Sequence, residues 1–389
     1  MADGKATERT ELTYGQVGGG PGSLIGPVHR AALAMNDQAE LVAGSFSWLY
    51  DETLEAAKNL RVSAERAYRT FQEMAERESQ RADGIDFAVI TTPNHLHYEV
   101  AKSFLENGIH VVCDKPLCLT MEEAEHLLEL VRETKLEFMV TYTYTGYPMV
   151  REARQIIRNG DLGDIRIVVA EYPQAWLAEP VEEKGNMQAS WRTSPKYAGV
   201  SNSVGDIGTH IENIVHFATG LEIERLSAKL ETFVRGRKLD DNAYILLDYS
   251  NDASGNYWVS QVAVGNENAL RFRVIGTEGS LDWRQEQPDL LLLSRKEKPA
   301  MILSKGNDYL NRESRLFARL PPGHPEGYFE AFANLYRDFC GKLVSIKQGR
   351  KDEKLFTDVL DGARGVKFVH DCVRSSKQGS EWIDGSFNL

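Results

Sequence analysis

Gly18-Gly19-Gly20-Pro21-Gly22-Ser23-Leu24-Ile25-Gly26 lies between a strand-like run over 12–17 and a helix-like run over 27–35. A glycine turn in that place lets the following helix point free backbone N–H groups and its positive end at a phosphate. The loop fits G-x-G-x-x-G in no register: counted from Gly18 and Gly20 the third position is Ser23, and the next glycine suited to helix packing, Gly26, stands three residues later. We read a lengthened phosphate turn with Gly18, Gly20, Ser23, Leu24 and Ile25 nearest the cofactor. Gly20 is expected to be the glycine that lets the backbone approach the pyrophosphate, so that a Cβ there would clash with the cofactor. A purely structural turn would use the same glycines, so the loop's place in the chain carries the reading.

Outward from the loop, strand-like runs over 41–46, 87–92, 110–113 and 138–142 alternate with helix-like runs over 51–60, 98–107 and 121–134. Thr120 is a natural N-cap for the last of these, with Glu123 three residues on. Alternation of this kind predicts right-handed crossovers and a parallel sheet. The first strand is poor material for a buried position, because it contains Tyr14, Gly15 and Gln16.

Beyond about residue 150 the rhythm changes. Runs over 165–172, 226–234, 243–249, 257–262, 270–275 and 290–293 are separated by turn formers such as Asn251-Asp252-Ala253-Ser254-Gly255-Asn256. This is the pattern of an antiparallel sheet, and helix-like runs over 326–343 and 356–374 close the chain. The prediction is an α/β domain over 1–145 and an α+β domain over 146–389, with the last helices packing back on the first domain. A large open sheet with helices on one face leaves the other face to be covered, and homo-oligomerisation is the simplest cover.

The chain of 389 residues suits two domains, and its apolar fraction of 42% and charged fraction of 26% are those of a soluble globular protein. No run approaches the roughly 18 apolar residues of a membrane span. Residues 1–11 are polar and lack the apolar core of a secretory signal, which implies a frayed tail and a cytoplasmic protein. A net charge of −12 disfavours nucleic acid as a partner. Cys113, Cys118, Cys340 and Cys372 form no C-x-x-C pair, so no metal is expected and buried thiols are the simplest reading.

Two further segments carry chemistry. In Cys113-Asp114-Lys115-Pro116-Leu117 the lysine follows a buried-looking strand, which places it at the carboxyl end, where open α/β sheets collect ligands. In Gly205-Asp206-Ile207-Gly208-Thr209-His210 the aspartate and histidine are four apart at the start of a predicted helix and share one face. Oxidising an alcohol requires a base for the hydroxyl proton, which suits His210, and a cation beside the developing alkoxide, which suits Lys115. Asp206 is placed to orient the imidazole or grip a neighbouring hydroxyl. Taken singly, Asp206 as a helix cap, His210 as a core histidine and Lys115 as a solvated loop residue are the competing readings.

Together, the glycine loop, Thr91-Thr92-Pro93-Asn94-His95-Leu96-His97, Lys115-Pro116, Trp191-Arg192 and the Gly205–His210 motif resemble the Gfo/Idh/MocA family of NAD(P)-dependent oxidoreductases. The resemblance covers essentially the whole chain. It implies an N-terminal Rossmann domain, a C-terminal α+β domain with a large, mostly antiparallel sheet, and homodimers or homotetramers built through that sheet. It also implies catalysis by Lys115, Asp206 and His210, and cofactor contacts from Ser45, Ser47, Thr92, Pro93, Asn94, His97, Lys115, Trp191 and Arg192.

The chain departs from the family pattern at Asp114, where glutamate is more usual, and at Asn213, where many relatives have a second aspartate. The second strand ends Gly44-Ser45-Phe46-Ser47 with no acid for the ribose hydroxyls and no arginine for a 2′-phosphate, so NAD and NADP both stay open. Tyr142, Tyr144, Tyr147, Trp176, Trp191 and Arg192 suit a carbohydrate. The substrate is expected to touch Lys115, Tyr144, Arg192, Asp206, His210 and, from the Gly323-His324-Pro325-Glu326-Gly327 cluster, His324. The leading reading is an NAD(P)-dependent dehydrogenase acting on a secondary ring hydroxyl of a sugar, glycoside or cyclitol. An NAD-dependent glycoside-cleaving enzyme that works by transient oxidation, and a non-catalytic cofactor-binding regulator, are the alternatives.

Overall fold

A computed structural model describes residues 12–388, so the polar N-terminal stretch over 1–11 lies outside the described residues. Five parallel strands, β1 (Leu12–Gly18), β2 (Ala39–Ser45), β3 (Phe87–Thr91), β4 (His110–Cys113) and β5 (Phe138–Val140), pair in the order β2-β1-β3-β4-β5. Between them run α1 (Ile25–Ala34), α2 (Tyr50–Asn59), α3 (Phe71–Gln80), α4 (His97–Glu106) and α5 (Met121–Thr134). Thr120 and Glu123 cap α5 reciprocally, each side chain accepting the other's backbone N–H at 3.2 Å. The strand order reverses at β1, which opens a crevice between the carboxyl ends of β1 and β3.

β1 is central despite its polar composition, and the fully buried Gln16 explains how. Its amide donates to Thr91 Oγ1 at 3.1 Å and accepts from Arg30 Nη1 at 2.8 Å, so the buried polar group is satisfied. Tyr14 stacks on Phe87 with centroids 5.5 Å apart.

The second sheet has nine strands in the order β13-β12-β11-β10-β6-β9-β8-β7-β14, antiparallel except where β6 meets β9. They are β6 (Ile165–Pro173), β7 (Ile223–Glu231), β8 (Asn242–Tyr249), β9 (Ser254–Ser260), β10 (Arg271–Gly276), β11 (Gly279–Arg284), β12 (Leu290–Arg295), β13 (Met301–Ser304) and β14 (Ile383–Asp384). One face is buried under α6 (Pro148–Arg158) and α9 (Thr209–Thr219), while the other exposes Ile167, Tyr244, Leu246 and Ile302. The short helices α7 (Met187–Arg192), α8 (Pro195–Ala198) and α10 (Arg312–Phe317) precede the long α11 (Tyr328–Lys347) and α12 (Val359–Lys377). Phe332, Tyr336 and Phe339 of α11 join the core under α1, and Val359, Ala363 and Val366 of α12 join the core under α5. The four cysteines are free and buried. No helix among the described residues is long and apolar enough to cross a membrane.

The strands β11, β13 and β14 and several helices, α6 among them, have no counterpart in the sequence expectation. β13 buries none of its residues and β14 has only two, so neither shows a hydrophobic period. β9 starts inside the predicted turn because Gly255 lies against the Tyr249 ring, where a Cβ would come within 2.9 Å. The helix α6 was masked by Arg151 and Glu152, both buried on its packed face.

Candidate active site

Lys115 follows β4, and His210 opens α9. The predicted single helix from Asp206 is instead a π-helical turn, Val204–Gly208, that runs into α9. Such turns recur at functional sites because the widened ring displaces side chains from the regular helical track. Asp240 anchors this turn, accepting Asn202 N at 3.0 Å, Val204 N at 3.1 Å and the Ser203 hydroxyl.

Asp206 is the hub. Lys115 Nζ donates to its Oδ1 and to its main-chain carbonyl, each at 2.9 Å. Its Oδ2 accepts from Arg192 Nε at 3.1 Å and Gln261 Nε2 at 2.9 Å. Burial would raise this carboxyl, but Arg192 and Lys115 overcome that and hold it well below the carboxylate range. Gln261 is fully buried just beyond β9, and its Oε1 accepts from Asn202 Nδ2 at 2.9 Å.

His210 is buried among Tyr144, Tyr142 and Tyr172, with ring centroids at 4.9, 5.8 and 6.2 Å. Burial and the Lys115 ammonium push its pKa well below 6.5, so the imidazole is neutral near pH 7. Nδ1 is buried without a partner, which leaves Nε2 as the nitrogen for a ligand. Tyr142 OH meets Thr209 Oγ1 at 2.7 Å, and Gly365 of α12 packs so closely there that a Cβ would lie 2.4 Å from the phenol oxygen. Burial pushes the Tyr144 phenol up to about 12, and its OH bonds to Tyr172 OH. Arg192 lies over the Trp191 ring at 4.1 Å and faces Trp176 at 5.7 Å.

The glycine loop has a different internal logic from the one expected. Gly18 and Gly19 take φ of +78° and +74°, and a Cβ on Gly26 would come 2.3 Å from Gly19 Cα, so Gly26 lets α1 start hard against the loop. Gly20 faces protein: its N–H donates to Phe46 O at 3.1 Å, and a Cβ would sit 2.6 Å from that oxygen. The expected cofactor clash at Gly20 is thus a clash with the end of β2. Gly22, at φ +76°, has open space around it, and Ser23 Oγ accepts Gly26 N at 3.2 Å. The first-turn amides from Ile25 onward lack carbonyl partners within the helix. Beside the loop, Thr92 Oγ1 is buried without a partner. The tight Gly19–Gly26 approach, the open loop tip and this orphaned hydroxyl fit a dinucleotide pyrophosphate.

Other expected contacts sit differently. Both ring nitrogens of His97 meet carbonyl oxygens, Pro116 at 2.7 Å and Thr92 at 3.0 Å, so its ring clamps the loops after β3 and β4 and has no free nitrogen for a cofactor. Asn94 and Ser45 are buried, and Pro93 precedes the turn into α4. Ser47 Oγ is engaged by Glu52 Oε2 at 2.6 Å and Leu49 N at 3.2 Å. Glu52, on the first turn of α2, thus brings an acid beside the tip of β2 that the strand's own residues lack. His324 is exposed in a turn; the segment's buried residue is Glu326.

Residues 12–142 match the model described as "Oxidoreductase family, NAD-binding Rossmann fold", and residues 150–282 match the GFO/IDH/MocA C-terminal domain. An uncharacterized oxidoreductase of Bacillus subtilis, YfiI, is 34% identical over 99% of both chains. The levoglucosan dehydrogenase of Pseudarthrobacter phenanthrenivorans is 29% identical over 96% of this chain and 98% of its own. An inositol dehydrogenase homolog from Azotobacter vinelandii, solved with NAD+, superposes with a TM-score of 0.93 at 37% identity, over 99% of this chain and 100% of its own. The same homolog solved with NADH and myo-inositol gives a TM-score of 0.89 at 36% identity, over 96% and 97%.

Proposed function

Because the chain belongs to the GFO/IDH/MocA family of oxidoreductases and carries its NAD-binding Rossmann domain, we propose that it oxidises a secondary ring hydroxyl of a sugar, glycoside or cyclitol. The observation that carries this reading is the pairing of Lys115 with ionised Asp206 beside a neutral, buried His210. His210 Nε2 accepts the hydroxyl proton, and the Lys115 ammonium stabilises the alkoxide that forms. Asp206 holds the ammonium in place, with Arg192 and Gln261 fixing its second oxygen. The loop from Gly18 to Gly26 and Thr92 would hold the pyrophosphate of a dinucleotide, whose nicotinamide would supply the hydride acceptor. The ring polyols named with the relatives, myo-inositol and levoglucosan, support this substrate class.

Glu52 at the tip of β2 favours NAD, since a carboxylate there repels a 2′-phosphate. The apolar open face of the nine-stranded sheet supports a homo-oligomer built through it. A division into domains at 145/146 and a cytoplasmic location complete the proposal. A screen of polyols, sugars and glycosides with NAD and NADP, followed by absorbance of the reduced cofactor, tests it. Net NADH formation with a ring polyol is expected; substrate consumption without net reduction, or no turnover across the panel, overturns it.

A further inference from the structure

His210 lacks the hydrogen bond that commonly orients a histidine base. Its Nδ1 is buried without a partner, so no carbonyl or carboxylate fixes the ring. The surrounding rings must do so. Tyr142, Tyr144 and Tyr172 meet the imidazole at interplanar angles of 85°, 80° and 60°. Thr209 holds the Tyr142 hydroxyl, whereas the support for Tyr144 and Tyr172 lies further out.

Tyr144 stands on the turn Thr143–Gly146 after β5, and Tyr172 lies near the end of β6. Their hydroxyls are bonded to each other, and Tyr172 OH donates to Asn268 Oδ1 at 2.7 Å. The same Oδ1 accepts from Gln174 Nε2 at 2.7 Å, and Gln174 Oε1 accepts from Trp176 Nε1 at 3.0 Å. The outer end of this chain sets its direction. An indole N–H only donates, so Gln174 turns its oxygen to Trp176 and its amide nitrogen to Asn268. Asn268 then presents its oxygen, which takes the one proton of Tyr172 and leaves Tyr144 to donate to Tyr172. Flipping either amide would set two donors face to face. The loop that carries Asn268 is itself pinned, with Asn268 N donating to Glu286 Oε1 at 3.0 Å and Ala269 N to Pro173 O at 3.2 Å. Tyr144 and Tyr172 are 4% and 3% exposed, so a hydroxyl deprived of this acceptor cannot turn to bulk water.

We propose that Asn268 is a positioning residue for His210: as the shared acceptor of Tyr172 and Gln174, it sets the direction of a hydrogen-bond chain from Trp176 to Tyr144 and so holds the rings that orient the base. The proposal rests on the reading of His210 as the base of a dehydrogenase. It makes the reaction rate depend on an uncharged loop residue that acts only through its neighbours. The same acceptor fixes Trp176, whose ring faces Arg192 at 5.7 Å, so one atom braces two sides of the site.

The test compares Asn268→Leu, which keeps the shape and removes the acceptor, with Asn268→Asp, which keeps the acceptor as a carboxylate at about pH 8. Nitrogen-15 histidine spectra of the NADH-loaded protein read the ring without turnover, the His210 signals being assigned by their loss in His210→Ala. One set of His210 signals is expected in wild type and Asn268→Asp, and split or broadened signals in Asn268→Leu. With myo-inositol or levoglucosan and NAD, Asn268→Leu is expected to lower kcat about tenfold with KM for NAD changed less than about twofold, and Asn268→Asp to recover kcat to within about threefold. Tyr172→Phe removes the middle hydroxyl, keeps the ring and is expected to match Asn268→Leu; with thermal melting as the folding control, it decides the matter should Asn268→Leu fail to fold. The proposal is overturned if the His210 signals of folded Asn268→Leu match the wild type or if Asn268→Asp disturbs them equally. It is also overturned if Asn268→Leu keeps the kcat that His210→Ala loses. Near-normal kcat in His210→Ala, or no turnover of either polyol by the wild type, would count against the dehydrogenase reading alone, and the spectra would still decide whether Asn268 fixes the ring.

Discussion

Gln261 Nε2 donates to Asp206 Oδ2 over 2.9 Å, from a fully buried position 55 residues further along the chain. The contact ties the large sheet to the carboxylate that holds Lys115, and Asn202 locks the other end of the same amide. Gln261 therefore acts as a positioning residue whose neutrality matters, since a second carboxylate there would face Asp206 directly.

Replacing Gln261 by glutamate keeps shape and adds an ionisable group. We expect kcat/KM of Gln261→Glu to fall by about tenfold or more as pH rises and the new carboxyl ionises, with recovery toward acid pH. The measurement is a pH profile of kcat/KM beside the wild type. A uniform loss at every pH, with no new limb, would show that Gln261 only supports packing.

His210 is held neutral by burial and Lys115. The wild-type profile should accordingly show no histidine limb near 6.5, and His210→Ala should lower kcat by roughly 10² to 10⁴ with NAD affinity nearly unchanged. Below pH 6.5 the unfolded chain binds a proton that the buried ring refuses, so this site makes the fold less stable as pH falls. Stopped-flow turnover paired with NADH titration checks both parts; near-normal turnover would remove His210 from the chemistry.

Glu212, two residues past His210, faces away from the site toward a cavity of about 20 Å³ lined also by Arg364. Its Oε2 and the Arg364 Nε and Nη1 have no partners, and burial raises its pKa from 4.5 to about 8. A raised acid pKa contributes stability that is fully present below 4.5 and is lost as pH rises through 8. Glu212→Gln should flatten that slope and raise Tm at pH 8 by about 3–6 °C. Melting curves between pH 5 and 9 decide it, and parallel slopes for the two proteins would refute the assignment.

Gly20 and Gly22 should separate the two jobs of the glycine loop. Gly20→Val drives a side chain into the Phe46 carbonyl and should cost the apo-protein about 2–3 kcal/mol. Gly22→Ala meets no atom but must hold φ +76°, which costs about 1 kcal/mol, and should act mainly on cofactor binding. Apo melting temperatures and NADH titration of both variants test this division. An apo Gly20→Val protein as stable as wild type would show that the loop moves away from β2.

The βαβ alternation, the antiparallel second half, the cap at Thr120 and the closeness of Lys115, Asp206 and His210 were legible in the sequence. Periodicity, capping chemistry and charged motifs at strand and helix ends are local signals, and the strand His110–Cys113 and the helix Met121–Thr134 coincide with their predicted bounds. What only the tertiary structure decided is which uncharged or distant residues meet that site. Gln261 carries no motif, Gly365 matters because Tyr142 and Thr209 meet beside it, and Glu326 is buried where neighbouring His324 stays in solvent. These contacts join elements far apart in the chain through sheet register and helix packing. Neither composition nor spacing encodes them, because a side chain's partners across a core are fixed only once both sheets have closed on their helices.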